Sequence, residues 1–430
     1  MNDSPFDRIP APPMDQFNYA LQATGEQSMH MVIAFDGLLD ERRLQDAAAT
    51  VTGEVTVLGS RFVESDAPYW EPLPGTDRHP VVHIHLTNDP HHDLPAVLAI
   101  PVDPAAGPQL CINLLRTGSS DTLCISVHHA AMDARGLVAC TRLLAECYRN
   151  GGIRDAPKNG ATDRSISAVL SQFPGSAPVC DRSAPEDLPE GWAFPIGSGG
   201  GGIRNFALRT LPASRLAAIK CAGKLQGATV NDVVLAAYFL ALCTAIRPPP
   251  GRPVPIMISI DLRRYLNGSR PVYLKDTICN QSVAFPVQME PGLRSRDEMI
   301  ACARDAMQKC MIHTPGIASA VDLESYGYAG FARICERVRT MKAMTDARHC
   351  SPPILSNIGI LPEESVAFSQ DLPVTNAFVA GIMIDPPGIG LGVTTFRDQL
   401  TLSIGYGSPA IPHAAMEQFM DTLVGYLPGA

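Results

Sequence analysis

No run of lysines and arginines occurs in this sequence, and acidic residues outnumber basic ones by 43 to 34, for a net charge of −9. Non-specific binding of nucleic acid needs a basic surface, so the composition argues against that class. The N-terminal stretch MNDSPFD carries no basic segment leading into an apolar one, and no secretory leader is expected. The longest apolar run, residues 233–246, falls short of the ~18–20 residues a bilayer demands and reads as a buried helix, without integral membrane association. Cysteine is present 12 times, yet without a Cys-x-x-Cys pair or regular spacing, which points to reduced core thiols in a cytoplasmic protein. Repeats with a period of about 20–50 residues are lacking, which excludes solenoids and propellers.

The chain has 430 residues, of which 46% are hydrophobic and 18% charged. That is more than one compact core usually holds, so two domains or one two-lobed α/β body is expected. Residues 29–35, 79–86, 110–116 and 122–127 read as strands, with a helix at 40–51 among them. The Gly, Ser and Asp at 117–121 suit a hairpin loop, and a helix is expected at 136–148. Pro174, Pro178, Pro185, Pro189 and Pro195, then glycines at 199–202, mark a change of character. We place a crossover linker at 176–205, between a first lobe at 1–175 and a second at 206–430. The second lobe opens with a strand at 204–211 and a helix from Ser214. Thr229 caps an apolar helix at 230–246, and strands are expected at 253–260 and 278–287. Ser295 and Glu298 form a capping box for a helix to Met311, whose Met299, Met307 and Met311 read as core filling. A hairpin turns at Arg397 and Asp398, and residues 413–426 close the chain as a helix.

The sharpest chemical feature is His128-His129-Ala130-Ala131-Met132-Asp133, at the end of an apolar strand and before a helix. A strand end is a rigid platform, and neighbouring residues on it point to opposite faces, so only one histidine can face a given cavity. Histidine titrates nearest neutral pH, which suits a general base. The alternative is a packed histidine pair with a capping aspartate. His91-His92-Asp93, flanked by Pro90 and Pro95, reads as a solvated loop, and Tyr69-Trp70 as a loop anchor.

The stretch at 107–136, GPQLCINLLRTGSSDTLCISVHHAAMDARG, resembles the signature region of the chloramphenicol-acetyltransferase-like superfamily. That group holds the condensation domains of non-ribosomal peptide synthetases, wax-ester synthase/diacylglycerol acyltransferases, polyketide-associated acyltransferases and plant BAHD acyltransferases. GATVNDVVLAA at 227–237, ISIDLRR at 258–264, ICNQSVAF at 278–285 and Ser356-Asn357-Ile358-Gly359 are similar to later motifs of the wax-ester branch and its relatives. The resemblance implies two acyltransferase lobes, α+β sandwiches in a pseudo-twofold V around a central channel. It implies that His129 is the general base, that His128 and Asp133 are structural, and that Asp133 is salt-bridged to Arg263. Asn280, Ser356 and Asn357 would line the channel and could donate to an oxyanion. The superfamily's aspartate is followed directly by glycine, whereas Ala134 and Arg135 intervene here before Gly136, which would bring Arg135 near the channel mouth.

The implied donor is an acyl thioester, on coenzyme A or on the phosphopantetheine of a separate carrier protein, and the acceptor a hydroxyl or amine. Neither a permanently bound cofactor nor a metal is implied, and a cleft made within one chain makes a monomer sufficient. Other chemistries find no full pattern: no G-x-S-x-G nucleophile elbow follows a strand, and His83 and His85 lack a carboxylate or cysteine at zinc spacing. The 199–202 glycines lack the Lys-Ser/Thr of a phosphate loop. Three classes stay open: a free-standing acyltransferase, a condensation enzyme dependent on carrier proteins, and a catalytically silent binding module.

Overall fold

The computed structural model describes residues 8–153, 163–175, 191–197, 201–266, 277–292 and 294–429. Its first large sheet has five strands, in the order Val374–Ala380, Ser28–Phe35, Asp121–His128, Leu110–Arg116 and Val82–Leu86. Only the last pair is parallel. Alternation in SMHMVIAF explains the two faces of its second strand. Met29, Met31, Ile33 and Phe35 enter the main core, with Leu44, Val51, Leu137 and Leu144 of the helices Glu41–Glu54 and Ala134–Asn150. Val32 packs on the opposite face, with Leu94, Leu98 and Phe206. The hairpin before His128 is locked by Arg116, whose Nε and second amino group donate to both carboxylate oxygens of Asp121 at 2.9 and 2.8 Å.

The second large sheet has eight strands. Ser282–Met289, Val254–Asp261, Ile354–Ile360, Gly390–Phe396 and Gln399–Pro409 follow one another, Met383–Ile384 and Gly25–Glu26 finish one end, and Gly201–Leu211 pairs with Gln399–Pro409. One face carries Ile256, Ile258, Val287, Leu355 and Leu391 against the helices Val230–Ile246, Arg296–Met311 and His413–Tyr426. The first of these helices is apolar all round along its buried stretch at 233–242, as an enclosed helix should be. The other face is of a different composition, with Ser259, Ser282, Ser356, Gly390 and Gly392 turned toward a cavity. Among the described residues no single helix is long and apolar enough to cross a membrane.

The two sheets are not built from contiguous halves of the chain. Val374–Ala380 supplies an edge strand of the first sheet, and Gly25–Glu26 pairs with Met383–Ile384 in the second. A division at 1–175 and 206–430 is therefore crossed in both directions. Of the 176–205 segment, residues 176–190 and 198–200, which include Pro178, Pro185, Pro189, Gly199 and Gly200, lie outside the described residues.

Four local expectations are corrected. The strand at 79–86 begins only at Val82, after Pro80, which has no backbone donor to pair. His91 and His92 lie on a helix, Pro90–Leu98, whose cap Asp89 accepts from both of their backbone N–H groups; they remain exposed. Tyr69-Trp70 belongs to the strand Tyr69–Pro72, with Trp70 wholly buried. Met299 is core and Met307 packs partly against it, but Met311 is 38% exposed.

Candidate active site

Strand Asp121–His128 ends where the 128–133 turn begins, and its two histidines part company there. His128 points inward and is 1% exposed. Its Nδ1 accepts the backbone N–H of Ala130 at 3.1 Å, which leaves the proton on Nε2. Burial, with the neighbouring His129 adding to it, pushes the His128 pKa down to about 3, so the ring stays neutral.

His129 lines a cavity of about 1730 Å³ bounded by residues of both sheets. Its backbone N–H donates to the carbonyl of Gln27 at 2.8 Å, tying the turn to the start of strand Ser28–Phe35. Its Nδ1 lies 3.2 Å from Oδ1 of Asn280. Nδ2 of that amide donates to Asp15 Oδ1 at 3.0 Å and to the Ala130 carbonyl at 2.8 Å. Both partners only accept, so the amide cannot be reversed and its oxygen must face His129. Nδ1 of His129 therefore carries the hydrogen, and the Nε2 lone pair is free. Burial lowers the His129 pKa, against its own backbone hydrogen bond and the nearby Asp133, Asn280 and Asp15. The ring is thus a neutral base with a single tautomer.

Asn280 was expected to line the channel and donate to an oxyanion. It does neither, since its side chain is 0% exposed and its two amide hydrogens are already engaged. The strand expected from 278 starts only at Ser282, because residues 279–281 bond to the histidine turn instead. Asp133 N–H donates to Cys279 O at 3.3 Å, and Gln281 N–H donates to Asp133 Oδ2 at 2.7 Å.

Asp133 is 1% exposed and holds the two halves together. Its Oδ1 caps helix Ala134–Asn150 by accepting from Gly136 N–H at 2.8 Å, and its Oδ2 accepts from Arg263 at 2.9 Å. Arg263 also donates to Asp261 Oδ1 at 2.9 Å and to the carbonyls of Thr277 and Cys279 at 2.8 and 2.9 Å. Burial works against its charge, but the carboxylates of Asp133 and Asp261 outweigh burial and hold the guanidinium protonated. Gly136 is required by packing: a Cβ there would lie 2.8 Å from Met132 Cβ and 3.2 Å from the Cys279 carbonyl oxygen. Arg135 lines the cavity, half exposed, 3.8 Å from Asp261.

Ser356 and Asn357 lie on the wall formed by strand Ile354–Ile360 and line the cavity. Ser356 Oγ accepts from Ser259 at 2.9 Å, which leaves its own hydrogen available. Asn357 donates to Asn231 Oδ1 at 3.2 Å and accepts from Gly359 N–H at 2.9 Å.

Three participants were missed in the sequence. Asp15 is 0% exposed, and its Oδ2 accepts from Arg164 Nε at 2.8 Å and Trp70 Nε1 at 2.9 Å. Arg164 in turn donates to the Ile278 and Ala131 carbonyls at 2.9 and 2.6 Å. Asp15, Trp70 and Arg164 come from an N-terminal helix, a short strand and a segment just ahead of the crossover, and no motif joins them. Among the described residues no group of three or more His, Cys, Asp or Glu side chains is arranged to hold a metal ion.

No family model matches the chain, and no curated protein matches it in sequence. Solved structures do match, along almost the whole chain. The first condensation domain of the calcium-dependent antibiotic synthetase superposes with a TM-score of 0.68 at 18% identity, covering 98% of this chain and 95% of that one. Polyketide synthase associated protein 5 from Mycobacterium tuberculosis gives 0.66 at 16% identity, covering 97% and 98%. The condensation domain of the monacolin K polyketide synthase gives 0.64 at 12%, covering 98% and 96%. The mixed α/β chain thus has, along almost its whole length, the two-lobed fold of these condensation domains and of polyketide synthase associated protein 5.

Proposed function

We propose that this chain transfers an acyl group from a thioester to a hydroxyl or amine acceptor, with His129 as general base. The acceptor's proton passes to Nε2 of His129 as its oxygen or nitrogen bonds to the thioester carbonyl carbon. The carbonyl electrons move onto oxygen, giving a tetrahedral oxyanion, and the Ser356 hydroxyl on the cavity wall is the candidate donor to it. Collapse breaks the C–S bond, and the leaving thiolate recovers the proton from the imidazolium. A thioester is already activated, so proton removal and alignment carry the rate, the former contributing roughly 10²–10⁴.

The observation that carries this reading is the fixed tautomer of His129, with Nδ1–H on Asn280 and Nε2 left for substrate in a cavity-lining ring. The donor arm is phosphopantetheine in either form, on coenzyme A or on a separate carrier protein. The test is a screen of acyl thioesters with release of free thiol as the readout, with and without a phosphopantetheinylated carrier protein, comparing wild type with His129→Ala. Thiol release that depends on both acceptor and His129 supports the proposal. A variant as fast as wild type on an identified substrate pair removes it.

A further inference from the structure

We infer that the acyl group this site accepts is an uncharged, apolar chain and not an aminoacyl group; the inference rests on acyl transfer at His129 and names its donor class. Size comes first. At about 1730 Å³ the cavity exceeds the roughly 300–1,000 Å³ that encloses a drug-sized ligand.

The walls come second. Met14, Phe17 and Leu21 line one side, and Met257, Ile354 and Ile384 another. Between them the sheet surface is kept low by Gly390 and Gly392. A Cβ at Gly392 would come within 2.5 Å of Ser403 Oγ, and one at Gly390 within 3.3 Å of Ile384 Cδ1. These glycines and the small Ser259 and Ser356 put no long side chain on this stretch of the cavity wall.

Charge decides the class. Among the described residues that line the cavity, every carboxylate already meets an arginine. Asp133 and Asp261 share Arg263 at 2.9 Å each, Glu290 holds Arg294 at 3.1 Å, Asp305 holds Arg304 at 2.7 Å and Asp322 holds Arg337 at 3.1 Å. Glu290 and Asp305 are more than half exposed, so they belong to the rim and not to the depth. An α-ammonium brought beside His129 would lose its water and find no unpaired carboxylate, an arrangement that strongly opposes binding. An alkyl chain meets no such penalty, and each methylene taken out of water strengthens binding by about fourfold.

The test uses the full chain and S-alkyl pantetheine thioethers, which keep the arm common to coenzyme A and carrier proteins but have no carbonyl to react. Calorimetry compares the ethyl probe, the octyl probe and the 7-aminoheptyl probe, the last matching octyl in length with an ammonium at its end. The octyl probe is expected to bind at least about tenfold tighter than ethyl and at least about tenfold tighter than 7-aminoheptyl. Met257→Glu, with its fold checked by thermal unfolding, should narrow or reverse the second difference. Equal affinities, tighter binding of the ammonium probe, or no binding of any probe overturns the inference, and the wild-type series decides it even if the variant does not fold. Failure of acyl transfer is seen separately: an apolar series that binds with no thioester consumed refutes the reaction and leaves the cavity's preference standing. Faster consumption of aminoacyl than of alkanoyl thioesters does the reverse.

Discussion

Asn280 takes the Nδ1 hydrogen of His129 at 3.2 Å, across 151 residues of chain. Asn280 can do this in one orientation only, because Asp15 and the Ala130 carbonyl hold its amide hydrogens. Asp15 is held in turn by Arg164 and Trp70. The base is thus aimed by a buried chain of hydrogen bonds that begins in the N-terminal helix.

His129→Ala removes the proton acceptor and its bond to Asn280, while the ties of Asp133, Arg263, Asp15 and Arg164 stay in place. Turnover should fall by about 10²–10⁴, with the circular dichroism spectrum and unfolding temperature close to wild type. Unchanged turnover would assign the base elsewhere.

Asn280→Leu frees Nδ1 of His129 and leaves Asp15 short of a donor. Turnover should drop by roughly tenfold or more through loss of ring orientation, with kcat falling more than KM rises. The independent readout is long-range proton–nitrogen NMR of ¹⁵N-histidine-labelled protein, with the His129 signals identified by their loss in His129→Ala. Wild type should show the Nδ1–H tautomer and the variant a mixture. A pure Nδ1–H tautomer in both would remove Asn280 from this role.

Arg164→Met leaves the carboxylate of Asp15 buried without its cation. Breaking a buried pair in this one-sided way costs about 3–5 kcal/mol, measured as a lower midpoint in urea. The double variant Asp15→Asn with Arg164→Met should recover part of that loss, which a purely steric defect would not.

Acid should unfold the protein earlier than its carboxylates alone would dictate. Burial lowers both His128 and His30 from an ordinary 6.5 to about 3, and Nε2 of His30 has no partner for an added proton. Below pH 6.5 the unfolded chain binds protons that the folded one refuses, so stability is full above that pH and declines toward pH 3. The slope should reach about 1.4 kcal/mol per pH unit for each histidine. His30→Leu should flatten the fall in unfolding temperature between pH 6.5 and 4; an unchanged slope would remove His30 as its source.

Much of the local structure follows from short-range chemistry. The capping boxes of Thr229 with Asp232 and Ser295 with Glu298 rest on side chains three residues apart, and the 397–398 turn joins two strands that are neighbours in the chain. The placing of His128 and His129 at a strand end was legible for the same reason, since an apolar strand must stop where the turn begins. Residues 278–281 read as strand because they run directly into the strand Ser282–Met289, and their bonds to Asp133 and Ala130 hold them out of the sheet.

The amino-acid order alone settles most of the strands and helices and which histidine pair ends a strand, though not every start, because caps, turns and alternation act over three or four residues. It does not settle that Val374–Ala380 completes the first sheet, or that Asp15 and Arg164 stand behind Asn280. Those pairings join residues more than a hundred positions apart, leave no periodic trace along the chain, and are chosen only when the two lobes close on each other and every buried polar group must find a partner.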